Sequence, residues 1–231
     1  MRPDSLLHIE LMEDLRSRRS LVLKLLLPVI LVVPLTITSV PEAVRLAGLP
    51  LIALFLGVLG ASVGLTRLKE QGLTERLGAT PVPRARMIRQ YLLANAAMDG
   101  VQMLVPAIIV IASVNLGLSA VALVAAALAL SIFLANALGV LVSAVAGGSG
   151  EVHLFSALCV LGVAGISGLF SGEGGSILKV VSEALPFGLV GQGLANTGFG
   201  EASVSLLVSF HVTIFTIAGV TRVSGRIFRG R

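Results

Sequence analysis

The chain has 231 residues, 55% of them hydrophobic and only 13% charged, with a mean hydropathy of +0.99; a soluble domain carries about 25% charged residues. A net charge of +5 does not point to nucleic acid, because there is no Trp, one Tyr and no basic face outside the gaps between apolar runs. The composition predicts an all-α integral membrane protein, with Gly abundant (26 residues) as helix packing in lipid requires.

In chain order, residues 1–20 come first. Leu7, Leu11 and Leu15 recur at helical spacing among Glu10, Glu13, Asp14 and Arg18, which predicts a short amphipathic helix on the membrane surface. A solvated basic leader is the alternative. Six apolar runs follow, at Leu21–Ser39, Leu46–Thr66, Tyr91–Val114, Ala120–Val145, Val152–Phe170 and Ser203–Thr221. Each is long enough to cross a hydrocarbon core of about 30 Å. Pro28, Pro34, Pro50 and Pro106 fall inside runs, where lipid-embedded helices kink rather than stop. The first run is too long for a cleavable signal peptide and has no small-residue cleavage site after it. "GGSGE" (Gly147–Glu151) makes a tight turn between the fourth and fifth runs. Residues 171–202 are too apolar for a free loop and too short to span twice, so short re-entrant helices broken at Pro186 are expected there. The single Cys159 lies in an apolar run and excludes an intramolecular disulfide.

Six spans put fifteen of the seventeen Lys and Arg residues on one side, leaving only Arg45 and Lys179 on the other. The positive-inside rule then places both termini and the loop 67–90 in the cytoplasm of a cell-membrane protein. An odd number of spans would spoil that asymmetry.

Enzyme chemistry is sparse. "GEGGSILK" (Gly172–Lys179) has neither the spacing nor the final Ser or Thr of a phosphate-binding loop, so the chain itself carries no ATPase motif. His8, His153 and His211 are scattered, without metal-ligand spacing. "GISG" puts Ser167 in the fifth run and His211 in the sixth, a pairing that resembles a rhomboid intramembrane serine protease. The Ala-His-x-x-Gly pattern and any Trp are missing, and Gly162, Gly165 and Gly168, with Gly172, read more naturally as a packing seam. Asp99 is the sharpest polar residue inside a span, with Asn95 and Gln102 on the same side of its helix. Such residues are costly in lipid and are often functional, although a hydrogen-bonded packing contact accounts for Asp99 equally well. Asn136 and His211 are weaker candidates of the same kind.

The charged loop "RLKEQGLTERLGATPVPRARMIRQ" (67–90) reads as a short helix around Glu70–Leu77, a stop at Gly78, and a Thr-Pro-Val-Pro turn into the third span. It resembles the cytoplasmic coupling segment of ABC-2-type transporter permeases. The similarity rests on Glu70, Gly72, Leu73, Glu75, Leu77, Thr80, Pro81 and Val82, with Arg76 and Gly78 between them. "EALPFGLVGQGLANTGFG", the last apolar run and "RIFRGR" are similar to that family's outer segment, sixth helix and basic tail. No large extracellular domain and no fused ATPase accompany them.

The resemblance implies a transmembrane exporter subunit that pairs with a second copy or a homologous half. Each would dock on a cytoplasmic ABC ATPase holding ATP and Mg²⁺, with no cofactor in this chain. Asp99, Gln102, Asn136 and His211 are then candidates for the substrate path. Such permeases carry drugs, peptides, lipids, haem or ions, and nothing in these spans selects among them. A proton-coupled secondary transporter using Asp99 is the main alternative.

Overall fold

A computed structural model describes residues 18–72, 83–114, 116–168, 180–182, 184–190 and 199–227. Residues 1–17 of the predicted leader helix, residues 73–82 of the 67–90 loop, and residues 169–179, 183 and 191–198 in and beside the outer segment lie outside the described residues. The described chain is all-helical: α1 Arg18–Ile37, α2 Glu42–Glu70, α3 Arg84–Ala112, α4 Leu118–Val145, α5 Ser149–Ile166, a three-residue turn α6 Pro186–Gly188, and α7 Phe199–Ile227. Five of these, α2, α3, α4, α5 and α7, are long and apolar enough to cross a membrane, whereas the apolar part of α1, Val22–Ile37, is shorter.

The prolines behave as their setting dictates. Pro28 and Pro34 sit inside α1, Pro50 inside α2 and Pro106 inside α3, and the helices continue through them. Pro186 instead opens α6 at a helical N-terminus, where its missing N–H is no loss. Several helices outrun their apolar runs. At 29 residues α2 measures about 43 Å, so its charged ends project beyond a core of about 30 Å. Glu42 in its first turn and Arg67 and Lys69 in its last complement the helix dipole.

Helix α4 is the hub, in contact with α2, α3, α5 and α7. Its closest partner is α2, and the cause is two glycines. A Cβ on Gly139 would lie 2.7 Å from the carbonyl oxygen of Val58 and 3.0 Å from that of Gly57. A Cβ on Gly57 would lie 2.6 Å from the Ala135 side chain. In lipid, where tails are as apolar as leucine, such backbone-to-backbone approach is what holds helices together. The seam expected at Gly162 and Gly165 is different. A Cβ at either meets nothing within 4 Å in this chain, so those glycines face outward from α5 and form no intramolecular seam.

Three apolar clusters fill the bundle. One joins Leu46, Leu49 and Ile52 of α2 to Met103 and Val110 of α3 and Val124 and Leu128 of α4. A second seats Phe187 against Leu54, Val58, Leu134, Val160 and Ala164. The third, toward the opposite end, holds Leu65, Ile88, Tyr91, Val140 and Val220. Leu104 and Ile108 of α3, Leu158 and Leu161 of α5, and Phe215 of α7 are exposed instead, as side chains that face lipid must be.

Candidate functional site: a buried polar centre and a clamped charged end

The first candidate site lies between α3 and α4. Asp99 is the sixteenth residue of the 29 in α3, about 22 Å from the start of the helix. It is 7% exposed, Gln102 5% and Asn136 0%. The Asn136 side-chain amide donates to Asp99 Oδ2 at 2.7 Å and to the carbonyl of Ile132 at 2.9 Å. The second bond fixes the amide against its own helix and leaves the first to cross to α3. Gly57 matters here as well, because a Cβ on it would come within 3.1 Å of the Asn136 Nδ2. Asn136 Oδ1 and the Asn95 amide nitrogen are buried without hydrogen-bond partners. Pro106 has no N–H, so the carbonyl of Gln102 lacks its usual helical donor. The centre is therefore rich in polar atoms at mid-helix depth, where such groups are rare.

Structure and sequence agree in part about these residues. Asp99 and Asn136 are brought into direct contact, and Asn136 serves as the helix–helix hydrogen bond that its type suggests. Gln102 is buried on α3. His211 is not part of this centre: it is exposed, its Nδ1 bonds the Leu207 carbonyl of its own helix at 2.8 Å, and its ring meets Phe210 edge-on. The Ser167–His211 pairing is absent too, since Ser167 Oγ is buried with no hydrogen-bond partner. No group of three or more His, Cys, Asp or Glu capable of holding a metal occurs among the described residues.

The second candidate is the charged end of the bundle. Helix α2 ends at Glu70, and Gly72 takes the left-handed φ of 67° that stops a helix. Glu70 thus belongs to the end of α2 rather than to a separate helix over Glu70–Leu77. Leu73, Glu75, Arg76, Leu77, Gly78, Thr80 and Pro81 lie outside the described residues. The Glu70 carboxylate accepts the backbone N–H of Ser149 at 2.8 Å and also the Ser149 hydroxyl. Lys69 Nζ donates to the Ser143 carbonyl near the end of α4. Glu151 accepts the N–H of Gly147 at 2.8 Å and closes the turn between α4 and α5. At the opposite end, the Arg45 guanidinium donates to the carbonyls of Val40 and Ser113, both at 3.1 Å. Residues 69–70 and 143–151 therefore share one end of the bundle, and residues 40–45 and 113 the other.

Sequence reasoning missed the Ser143 and Ser149 contacts, the buried Ser62–Ser156 hydroxyl pair at 2.7 Å, and the Tyr91 hydroxyl donating to the Ala61 carbonyl at 2.8 Å. Only Tyr91 carried a signal, being the one Tyr of the chain and placed at the edge of an apolar run.

The fold and these sites define an all-helical protein of membrane-spanning type. No family model, curated protein or solved structure matches the chain.

Proposed function

We propose that this chain is the six-span permease subunit of an ABC exporter in the cell membrane, with both termini cytoplasmic. It works as a dimer with a second copy or a homologous half, driven by a separate ATPase subunit that binds ATP and Mg²⁺. The observation that carries this reading is the segment 67–90: "GLTERLGATPVP" set between two spans and flanked by basic residues. A pump without its own phosphate loop needs a lever facing the cytoplasm. That α2 ends at Glu70 and α3 begins at Arg84 supports reading the stretch between them as a loop. The apolar part of α1, Val22–Ile37, reaches about 24 Å, so counting α1 as the first of six spans rests on the Lys and Arg asymmetry that six spans produce. Re-entrant helices in 171–202 belong to the same reading, supported by Pro186 and the burial of Phe187.

Glu75 is the test position. A carboxylate on a cytoplasmic lever can pair with a basic residue of the ATPase, and removing one partner of a buried interfacial pair costs about 2–5 kcal/mol. Glu75→Arg is expected to insert normally but to lose the ATPase subunit that co-purifies with the wild-type chain, or to keep it with altered ATP hydrolysis. Arg84→Ala is expected to do far less, since Arg84 Nη1 makes no hydrogen bond to lose. The reading fails if no ATPase co-purifies with the wild type. It fails equally if Glu75→Arg changes nothing while Arg84→Ala abolishes insertion, which would make the loop a lipid anchor. The Asp99–Asn136 pair favours a second reading, a proton-coupled secondary transporter. That protein would keep transporting without ATP and stop when the proton gradient is collapsed.

A further inference from the structure

Two consecutive residues at the end of α2 grip the two sides of one turn. Lys69 holds the Ser143 carbonyl at the end of α4, and Glu70 holds both the N–H and the hydroxyl of Ser149 at the start of α5. Immediately afterwards Gly72 turns the chain out of the helix. This grip therefore sits where α2 hands over to the charged segment. Helix α5 is the element that this grip reaches directly, and much of it faces away from the bundle. It packs mainly on α2, where the Ser62 and Ser156 hydroxyls pair, and also on α4. At its far end α5 meets the outer segment: Val160 and Ala164 pack in one cluster with Phe187, and a Cβ on Gly188 would lie 2.9 Å from the Ser167 carbonyl oxygen.

We infer that Glu70 is a positioning residue that passes movement of the 67–90 segment to α5, through Ser149, and so across the membrane to the outer segment at Phe187 and Gly188. This rests on the permease reading above, and it adds a route that the resemblance does not supply. A plain structural cap on α5 would hold the turn without making the far end of α5 respond to nucleotide. The two roles therefore separate in an experiment.

The probe is a cysteine at Ile166, an exposed position at the outer end of α5, in a Cys159→Ala background. Its rate of reaction with a membrane-impermeant maleimide is measured on the complex with its co-purifying ATPase, with and without ATP and vanadate. With Glu70 intact the trapped state is expected to change the rate by about 2–30-fold, the range that coupling through a packed network gives. Glu70→Ala should remove that change, and Ser149→Ala, which lies outside the 67–90 segment and deletes the hydroxyl that Glu70 accepts, should weaken it while the complex still assembles and hydrolyses ATP. Glu70→Gln, which keeps an acceptor oxygen for Ser149, should largely preserve it. A disulfide between Glu70→Cys and Ser149→Cys should restore it by a covalent link. A full nucleotide response in Glu70→Ala overturns this inference and leaves the permease reading standing. No response even with Glu70 intact overturns the inference, whereas failure of any ATPase to co-purify removes the permease reading and the inference together.

Discussion

Gly139→Ala is the sharpest test of how the bundle is held. The added Cβ would stand 2.7 Å from the Val58 carbonyl oxygen, 2.8 Å from the Ala61 side chain and 3.0 Å from the Gly57 carbonyl oxygen. Ordinary contact begins near 3.4 Å, so the shortfall at Val58 is about 0.7 Å. Two of the three obstacles are backbone oxygens, which cannot rotate away, and α2 must therefore retreat from α4. Overpacking of this kind costs about 1–3 kcal/mol. At about 2–4 °C per kcal/mol for a chain of this length, the midpoint should fall by roughly 2–12 °C. Cys159, the only cysteine and partly buried, gives the assay: its reaction with a thiol-activated dye is followed while the protein is heated in detergent. Gly60→Ala is the control, because a Cβ there meets nothing within 4 Å; it should leave the midpoint unchanged or raise it. A Gly139→Ala protein that melts at or above the wild type would refute the close α2–α4 seam.

Asn136→Ala removes the amide that bonds Asp99 and should lower stability in the same assay by about 0.6–1.7 kcal/mol, from the average to the maximum measured for hydrogen bonds between helices in lipid. On the permease reading proposed above, Asp99→Asn should alter transport while the complex still assembles, and a variant that transports like the wild type would reduce Asp99 to packing. For topology, a cysteine at Gly150 should react only from the cytoplasmic side and one at Leu118 only from outside, and labelling of Gly150 from outside would remove the six-span arrangement.

The elements were legible because lipid imposes one simple rule, about 20 apolar residues in a row. Every predicted run coincides with a helix, although α2 extends to Glu70 and α7 begins at Phe199. Their ends were harder to read, since charged residues continue a helix readily once it has left the apolar slab. The packing faces were hidden for a different reason. Helices apolar on all sides give no amphipathic stripe, so Gly57 and Gly139 look no different in sequence from Gly162 and Gly165, yet only the first pair is in contact with a neighbouring helix. Of the polar centre, Asp99 announced itself as a carboxylate amid apolar residues. Its partner Asn136 depends on the register between α3 and α4, which no local pattern encodes. Ser149 carried no signal beyond following two glycines, and the acceptor that holds it comes from 79 residues earlier in the chain.

The Asp99–Asn136 bond also bears on how the protein is made. Asn136 follows Asp99 by 37 residues, so at about 5–20 residues per second the aspartate is synthesised roughly 2–7 s before its partner. Through that interval α3 enters the bilayer without α4, against about 2.5–3.5 kcal/mol for an aspartate at a helix centre. Nine Leu, Ile and Val residues lie between Leu92 and Ile111, and at about 0.3–0.6 kcal/mol each they return roughly 3–5 kcal/mol. Insertion of α3 is thus nearly balanced on its own, and the arrival of α4 is what makes it secure.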